Sequence, residues 1–514
     1  MKTRLPVLAL RLAALALSLA AATAASAEVR LPKLLSDHAV LQRDRPIHIW
    51  GWASPGAQLT ARFHSQTVAA VADPLGKWSL YLAPESAGGP YTLSINGDGP
   101  EKTLTDLLIG DVWFASGQSN MEMPLKGFPG SAVIKDSAKE IAAANKPKIR
   151  LLLVEHKTSV FPLNDVTTSW TECTPETAQD FSAVAYFFGR EISAKENVPV
   201  GLIDSTWGGT PADSWISLNA LGTRPDLLPA IASRARFAEE QTDLDAIIAA
   251  EKRADEAAKA AGQPLPKHPW HPFGESYEPA ALYNAMVAPF TPMTIKGFLW
   301  YQGETNSAPE RAPFYASLFG GLIEDWRSHF RQGSLPFLYV QISSFTSPGE
   351  NWGLVRDQQR RVLDITNTAM AVTLDVGTPD NVHPPDKQTV GARLALAARD
   401  MVYGEKVQYE GPLFREATTE QNPDGSTSMR VWFDHANGLT FHDNPVGGFE
   451  LAGPDHIFKP ADASIDGNTV IVSSQTLPHP QYVRYGWMGV VTSNLYNAAG
   501  LPASTFTSES NPVH

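Results

Sequence analysis

Between residues 107 and 403, apolar runs typical of β-strands alternate with segments that have the period of amphipathic helices. The strand-like runs are "DVWFAS", "IRLLLVE", "VPVGLIDS", "IKGFLWYQ", "LPFLYVQISS" and "TAMAVTLD"; the helix-like segments include "SAVAYFFGREISAKE" and "TVGARLALAARDMVYG". Alternation of this kind builds βαβ units, and such units place their strands in one largely parallel sheet. The pattern therefore predicts an α/β domain over residues 107–403.

The two flanking regions have a different pattern. Residues 28–106 and 404–514 consist of short alternating runs separated by Gly, Pro and Asn turns, as in "PYTLSINGDG" and "NTVIVSS". Short strands with frequent turns are typical of antiparallel sandwiches and jelly rolls. A chain of 514 residues, at roughly 150 residues per domain, also predicts about three domains.

One segment interrupts the α/β alternation. Residues 226–262 are rich in Ala, Glu, Lys and Arg, which favours helix, and a Pro-rich stretch follows from Pro264 to Pro272. We interpret residues 226–272 as a helical excursion with its return loop, and not as a further domain.

The first residues are typical of a secretory signal. Lys2 and Arg4 precede an apolar Ala/Leu stretch, which ends in Ala25-Ser26-Ala27 before Glu28. The alternative, an uncleaved anchor, fits less well because the apolar run is short and ends in small residues. We therefore expect a signal peptide over 1–27 and a secreted or periplasmic mature protein without a membrane segment.

Charge and cysteine content restrict the partners. The chain has 41 Lys and Arg against 54 Asp and Glu, a formal net charge of −13, which argues against nucleic acid and favours a neutral or weakly charged ligand. Cys173 is the only cysteine, so no internal disulfide can form. Neither C-x-x-C nor H-E-x-x-H occurs, and the "HPWH" at 268–271 is a weak chelating pattern; no metal and no cofactor are predicted.

Four polar segments follow apolar runs of the α/β region, where open parallel sheets bind their ligands. They are "GQSN" around Ser119, "IDSTWGGTPADSW" at 203–215, "LWYQGETN" at 299–306 and "TPDNVHPPDK" at 378–387. Together they supply a hydroxyl, an imidazole, a carboxylate and backbone donors, the parts of an acyl-transfer site.

The spacing within these segments suggests individual roles. Ser119 needs a base to act as a nucleophile, and Asp380, three residues before His383, could orient that imidazole. Taken singly, Ser119 is more often a turn residue, His383 a loop histidine and the Gly208-Gly209 pair a turn. Trp207 could pack in the core or stack on a sugar. The α/β-hydrolase pattern G-x-S-x-G is not matched, because Met121 replaces its second glycine.

Several motifs in order resemble the sialate O-acetylesterase family, a branch of the SGNH-hydrolase superfamily. They are "GQSNM", "WGGT", "WYQGETN", a late D-x-x-H-P and "KQTVGARLAL", and the similarity extends over nearly the whole mature chain. The resemblance implies a flavodoxin-like three-layer α/β domain with N-terminal and C-terminal β-sandwich or jelly-roll modules. It also implies a metal-independent serine esterase.

The resemblance further implies roles for individual residues. Ser119 would be the nucleophile and His383 the base, and the oxyanion donors would be the Ser119 amide, Gly208 or Gly209, and Gln302. We expect substrate contacts from Gln118, Asn120, Trp207 and Glu304. Two points stay open: whether Asp380 or Asp375 completes the triad, and which of Gln302, Glu304 and Asn306 faces the oxyanion.

The predicted function is an exported carbohydrate O-acetylesterase that works through an acetyl-enzyme intermediate. Acetylated sialic acid is the substrate that the family name suggests, and acetylated xylan or xyloglucan is the rival, since an acidic chain gains little from attracting a sialate carboxylate. An alternative of another class is a carbohydrate-binding protein that has the same scaffold without catalysis.

Overall fold

The structure is a computed structural model that describes residues 28–130, 133–266, 268, 271–272, 274–442, 447–491 and 495–510. The predicted signal peptide, residues 1–27, lies outside the described residues. Among those described, no helix is both long and apolar enough to cross a membrane.

The N-terminal region is mainly antiparallel, as its alternating pattern predicts, with one parallel pairing between its first and last strands. In the strand Lys77–Leu82, buried residues alternate with exposed ones, so that Trp78, Leu80 and Leu82 face the core. The strands are β1 (Val40–Gln42), β2 (Ile47–Trp52), β3 (Gln58–Phe63), β4 (Gln66–Val71), β5 (Lys77–Leu82), β6 (Gly88–Asn96) and β7 (Lys102–Gly117).

Strand β7 belongs to two regions at once. Its first part pairs antiparallel with β6, and Leu108 to Gly110 pair parallel with β1. From Asp111 to Gly117 it continues as a strand of the central sheet. The predicted boundary at 106/107 therefore falls inside a continuous strand of 16 residues.

The central sheet has the order β13-β12-β11-β7-β10-β8-β9. Neighbouring strands are parallel except for the antiparallel pair β8 and β9, in agreement with the predicted largely parallel sheet. The strands are β8 (Lys146–Leu153), β9 (Thr171–Cys173), β10 (Val200–Thr206), β11 (Gly297–Tyr301), β12 (Phe337–Val340) and β13 (Thr368–Ala371).

The order of strands makes the end of β7 the expected position of a ligand site. The chain adds β8 to β10 on one side of β7 and β11 to β13 on the other, so the strand order reverses there. Open α/β sheets bind ligands outside the carboxyl ends of the strands at such a reversal. Ser119 lies two residues beyond the carboxyl end of β7.

Helices cover the sheet and form the predicted excursion. The helices α4 and α10 pack against each other, and α8 packs against α9. The α-helices are α1 (Ser119–Glu122), α2 (Ser137–Ala142), α3 (Pro175–Ala178), α4 (Ala183–Glu196), α5 (Leu218–Thr223), α6 (Leu228–Glu240), α7 (Leu244–Ala260), α8 (Tyr315–Phe330), α9 (Trp352–Arg361) and α10 (Lys387–Met401). Of these, α6 and α7 lie in the excursion predicted over 226–272. A π-helix spans Tyr283–Val287, and 3₁₀ turns span Ala212–Ser214, Pro225–Leu227, Gly274–Tyr277, Ala288–Phe290, Glu304–Asn306, Ala312–Phe314 and Val362–Asp364.

The C-terminal region is β-rich, with a small apolar core that includes Val431, Val470 and Phe506. Its antiparallel sheets have the orders β14-β15-β20-β19 and β18-β17-β21-β23, and β16 pairs with β22. The strands are β14 (Leu413–Gln421), β15 (Thr427–Asp434), β16 (Thr440–Phe441), β17 (Phe449–Ala452), β18 (Lys459–Pro460), β19 (Asp462–Asp466), β20 (Thr469–Ser473), β21 (Tyr482–Tyr485), β22 (Leu495–Tyr496) and β23 (Phe506–Thr507). The three-layer arrangement and the sandwich or jelly-roll form of the two flanking modules stay predictions.

Candidate active site

Ser119 begins a short helix directly after the central strand. Gly117, the last residue of β7, has φ +131°, and a Cβ at this position would lie 2.2 Å from the carbonyl oxygen of Tyr301. Glycine is therefore required at this bend. The bend is held by a hydrogen bond of 3.0 Å from the Gln118 amide to the same Tyr301 oxygen. Ser119 is thereby placed at the carboxyl end of the central strand.

Gln118 holds the neighbouring "QGETN" loop. Its side chain is 3% exposed, and its Oε1 accepts hydrogen bonds from the amides of Thr305 at 3.1 Å and Gly303 at 3.4 Å. A buried amide with its oxygen used in this way contributes to positioning. The predicted substrate contact of Gln118 stays untested.

Asn120 connects the serine turn with two other segments. It is fully buried, and its Nδ2 donates to Glu304 Oε1 at 2.6 Å and to the carbonyl oxygen of Val382 at 2.9 Å. Its Oδ1 accepts from Lys387 Nζ. Because Val382 precedes His383, these bonds bring the serine turn, the "QGETN" loop and the histidine loop together. The structure thus shows Asn120 and Glu304 in an interior network; their predicted contact with substrate is untested.

The Gly208-Gly209 turn lies against the nucleophile. A Cβ at Gly208 would be 3.1 Å from Ser119 Cβ and 2.8 Å from Glu122 Oε2. The Gly208 amide donates to this Glu122 oxygen at 2.5 Å, so one predicted oxyanion donor is already engaged. The amides of Ser119 and Gly209 make no hydrogen bond to any residue that the structure describes.

Glu122 and His156 are site residues that the sequence did not indicate. His156 Nε2 lies 3.1 Å from Glu122 Oε1, and its ring stacks on Trp207 with centroids 4.4 Å apart and planes 5° apart. Burial opposes protonation of His156, but the hydrogen bond and charge of Glu122 raise its pKa overall. His156 follows an apolar strand, but nothing in its flanking residues connects it with Glu122.

The "QGETN" loop offers a free side-chain amide donor. Gln302 is fully buried and its Nε2 donates to Thr210 O at 3.2 Å and Asn306 Oδ1 at 2.7 Å. Asn306 Oδ1 also accepts from the Ala212 amide at 3.0 Å, and a backbone donor fixes which amide atom is oxygen. Asn306 Nδ2 has no partner among the described residues. Gln302, the predicted donor, is therefore committed to the interior, whereas Asn306 keeps a donor available.

His383 is largely shielded from solvent. Its backbone amide donates to Asn381 Oδ1 at 2.9 Å, and its ring packs edge-on against Phe128 at 5.4 Å. Burial, and secondarily the charge of Lys387, lower the pKa of His383 to about 4, so the imidazole is neutral at pH 7. Neither the His383 ring nor the Ser119 hydroxyl hydrogen-bonds to a described residue. Catalytic hydrogen bonds often tighten only when substrate is bound.

Neither candidate carboxylate contacts His383 in the described structure. Asp380 is exposed in a turn in which Thr378 pairs with Asn381. Asp375 accepts two hydrogen bonds from Arg393, at 2.7 and 2.6 Å. The third member of the triad stays a prediction: Asp380 is exposed, and Asp375 is bound by the Arg393 guanidinium.

The histidines of the "HPWH" segment pair with acidic residues of α7. His268 Nε2 lies 2.9 Å from Asp255 Oδ1, and His271 Nε2 lies 3.0 Å from Glu251 Oε1. In the described parts of the chain, a group with ligand atoms close enough for one ion is formed by His38, Asp106 and Glu172.

The guanidinium of Arg150 already lies against the two carboxylates of this group. Arg150 Nη2 lies 2.9 Å from Asp106 and 3.7 Å from Glu172. The positive charge that a metal would bring is therefore supplied by the protein itself.

A cavity of about 980 Å³ lies between the N-terminal strands and the central domain. It is lined by aromatic residues that include Trp50, Trp52 and Tyr283, and by none of the predicted catalytic residues. The candidate active site at the end of β7 is therefore separate from this cavity.

Comparisons with known proteins identify the family of the chain. Residues 257–400 match the family model described as "Carbohydrate esterase, sialic acid-specific acetylesterase". The sialate O-acetylesterase of Rattus norvegicus is 31% identical over 502 residues, covering 89% of both chains. The sialate O-acetylesterase of Homo sapiens is 31% identical over 428 residues, covering 75% of this chain and 73% of the human protein.

A solved structure extends the similarity to the whole fold. The crystal structure of a carbohydrate acetylesterase from Xanthomonas citri superposes with a TM-score of 0.80 at 36% identity, covering 94% of this chain and all of that one. The family resemblance of the sequence motifs is thereby confirmed. This chain belongs to the sialate O-acetylesterase family and is a carboxylic ester hydrolase.

Proposed function

We propose that this protein is an exported serine esterase that removes O-acetyl groups from carbohydrates through an acetyl-enzyme intermediate. The observation that carries the proposal is the pair of hydrogen bonds from Asn120 Nδ2 to Glu304 and to Val382 O. These bonds join the Ser119 turn to the loop that ends at Asn306 and to the loop that carries His383. Nucleophile, donor and base thus come from three segments that one buried amide connects.

The first half-reaction forms the acetyl-enzyme. Ser119 Oγ attacks the acetyl carbonyl carbon while His383 accepts the hydroxyl proton, giving a tetrahedral oxyanion. The intermediate collapses as the bond between the carbonyl carbon and the sugar oxygen breaks, and His383 returns the proton to that oxygen. The deacetylated sugar leaves, and an ester of Ser119 remains.

The second half-reaction releases acetate. His383 takes a proton from water as the water oxygen attacks the acetyl carbon, and it then protonates Ser119 Oγ as the ester bond breaks. The oxyanion needs donors in both half-reactions. The unengaged amides of Ser119 and Gly209, together with Asn306 Nδ2, supply them.

The sugar is the least determined part of the proposal. The curated relatives are named sialate O-acetylesterases, which supports an acetylated sialic acid. Acetylated xylan or xyloglucan is the second candidate, favoured by the Glu122 carboxylate close to Ser119 and by the net charge of −13. Both disfavour the approach of a sugar that carries its own carboxylate.

The test is the Ser119→Ala variant, assayed with p-nitrophenyl acetate and by acetate release from acetylated sialic acid, xylan and xyloglucan. Loss of a serine nucleophile costs on the order of 10⁶ in rate, so we expect no measurable turnover with an unchanged melting temperature. Ser317→Ala, at an exposed position of α8, is the matched control. Activity of Ser119→Ala above a tenth of the unmodified protein would overturn the proposal, and an inactive unmodified protein would support the non-catalytic alternative.

A further inference from the structure

We propose that Lys387 is a positioning residue that joins the histidine loop to the nucleophile turn, acting through Asn120 and balanced by the carboxylate of Glu304. The inference rests on the proposed function, since it assigns how the same site is held. Lys387 lies four residues after His383 and is the first residue of α10. Its attachment therefore determines where the preceding loop is placed.

The contacts form a chain of hydrogen bonds through a single amide. Lys387 Nζ donates to Asn120 Oδ1, and Asn120 Nδ2 donates to Glu304 Oε1 at 2.6 Å. A positive group faces the oxygen of the amide and an acidic group faces its nitrogen, so the two groups fix one orientation of Asn120. In that orientation Nδ2 also reaches Val382 O at 2.9 Å, beside the histidine.

Burying these two charged groups costs free energy of folding, so their presence in the interior calls for a functional explanation. Lys387 is 0% exposed and Glu304 7% exposed. Glu304 Oε2 is buried without a hydrogen-bond partner among the described residues. Apolar side chains of similar volume usually stabilise an interior as well as a buried ion pair does. Positioning of the catalytic loops explains why charged groups occupy these places.

The charge of Lys387 also acts on the base. It is the second contribution, after burial, that lowers the pKa of His383 to about 4. Burial lowers the pKa of Lys387 itself to about 7, while the negative charge of Glu304 opposes that shift. Removing the lysine charge should therefore raise the pKa of His383, and the acid limb of the pH–rate profile should move to higher pH.

Other charged groups surround this pair. Tyr301 of β11 lies below the ammonium, with Nζ 5.5 Å from its ring centroid, and its pKa is raised by burial, so it stays neutral. The remaining groups are Asp380 on the loop, Asp386 paired with Lys135, Asp375 paired with Arg393, and Glu350 near Glu304. None of these groups is replaced in the Lys387 variants below, and Lys135 is replaced only in the control variant.

The experiment compares Lys387→Met with Lys387→Arg in the full-length protein, using p-nitrophenyl acetate. Met removes the charge and the donor, and we expect kcat to fall about 10- to 100-fold with KM within about threefold, a loss typical of misplaced catalytic groups. We also expect the acid limb of kcat/KM to rise by half a pH unit or more. Arg keeps the charge and should restore the position of the acid limb.

Two further variants separate this inference from other causes. Lys135→Met removes an exposed lysine next to the same helix and should leave kcat and the acid limb unchanged. Glu304→Gln keeps an acceptor for Asn120 and should cost less than Lys387→Met.

The results that would overturn the role of Lys387 differ from those that would overturn the proposed function. An unmodified protein without activity, or an active Ser119→Ala, would overturn the proposed function. Normal kinetics in Lys387→Met, or a loss of kcat without any movement of the acid limb, would overturn the role of Lys387 alone. Circular dichroism and the melting temperature establish that each variant is folded.

Discussion

The amide of Gly208 donates a hydrogen bond of 2.5 Å to Glu122 Oε2, and Glu122 lies three residues after Ser119 on the same helical turn. The carboxylate therefore holds the "WGGT" turn against the nucleophile. It also occupies an amide that the motif predicts as an oxyanion donor. With Gly208 engaged, the amides left for an oxyanion are those of Ser119 and Gly209.

Glu122→Ala tests whether this contact positions the turn. Hydrogen bonds to charged groups contribute about 1.5–3 kcal/mol, so we expect a lower melting temperature and a fall in kcat of about tenfold or more. Glu122→Gln keeps an acceptor oxygen and should retain most of the activity. A rise in kcat in both variants would instead show that the carboxylate competes with the oxyanion.

The acid limb of activity follows from the pKa of His383. An ordinary histidine titrates near pH 6.5, but burial lowers the pKa of this imidazole to about 4, so it stays neutral, and able to accept a proton, as the pH falls from 7 towards 4. We expect kcat/KM for p-nitrophenyl acetate to be level from pH 7 to about 5 and to decline near pH 4. His156→Gln serves as the control for a contribution of the other histidine at the site. The pKa of His156 is raised above its ordinary value, so its titration is separate from the acid limb assigned to His383. An acid limb near pH 6.5 in both proteins would contradict the assignment.

Asp380→Asn and Asp375→Asn together identify the residue that orients His383. If Asp380 swings onto the imidazole during turnover, its amide variant loses kcat with little change in KM, by up to about 10⁴ as in well-coupled triads. Asp375→Asn should mainly lower the melting temperature, because its carboxylate is held by Arg393. A severe kinetic loss in Asp375→Asn with a silent Asp380→Asn would reverse the assignment. If both are mild while His383→Ala is severe, the site is a Ser-His dyad.

Local pattern was sufficient for most strands of the central sheet, but not for its antiparallel strand β9 or for the extent of its middle strand β7. The alternation of strands and helices predicted β8, β10, β11, β12, β13, α4 and α10, because each coincides with an apolar run or an amphipathic segment of the sequence. The predicted domain boundary at 106/107 divides strand β7, which the structure shows continuing through Gly110 and Asp111 to Gly117.

Distant contacts explain why β7 continues through those two residues. A Cβ at Gly110 would lie 2.1 Å from the carbonyl oxygen of Pro199, so the strands approach too closely for a side chain. The Asp111 carboxylate accepts from Arg43 Nε at 2.9 Å and from the Tyr403 hydroxyl at 2.9 Å. These partners are far away in sequence, and no local pattern shows them.

At the active site, too, contacts between residues far apart in the sequence could not be predicted. Motif order identified the loops that meet, but the sequence could not show which side chains turn inward. Asn120 is predicted to contact substrate, a contact that stays a prediction, whereas its three hydrogen bonds to other loops have no signal in the sequence. The pairing of Glu122 with His156 depends on the path of the chain after β8 and therefore escaped prediction.

Asn306→Asp tests the oxyanion donor that we propose from the "QGETN" loop. Aspartate keeps an oxygen for the Ala212 amide and for Gln302 Nε2, but it removes the Nδ2 donor and adds a negative charge where the oxyanion would form. Loss of one oxyanion donor costs about 10²–10³ in kcat, so we expect at least that loss with a small change in KM.

Gln302→Glu is the comparison, because it also replaces an amide by a carboxylate but at a side chain whose donor bonds are used within the interior. Its Nε2 donates to Thr210 O, and its Oε1 accepts from the Tyr315 hydroxyl at 2.9 Å. We expect a lower melting temperature in Gln302→Glu, with kcat less affected than in Asn306→Asp once the protein is folded. If Gln302→Glu loses kcat more than Asn306→Asp at equal folded fraction, the oxyanion donor is Gln302, as the motif alone predicted, and the free Nδ2 of Asn306 has another role.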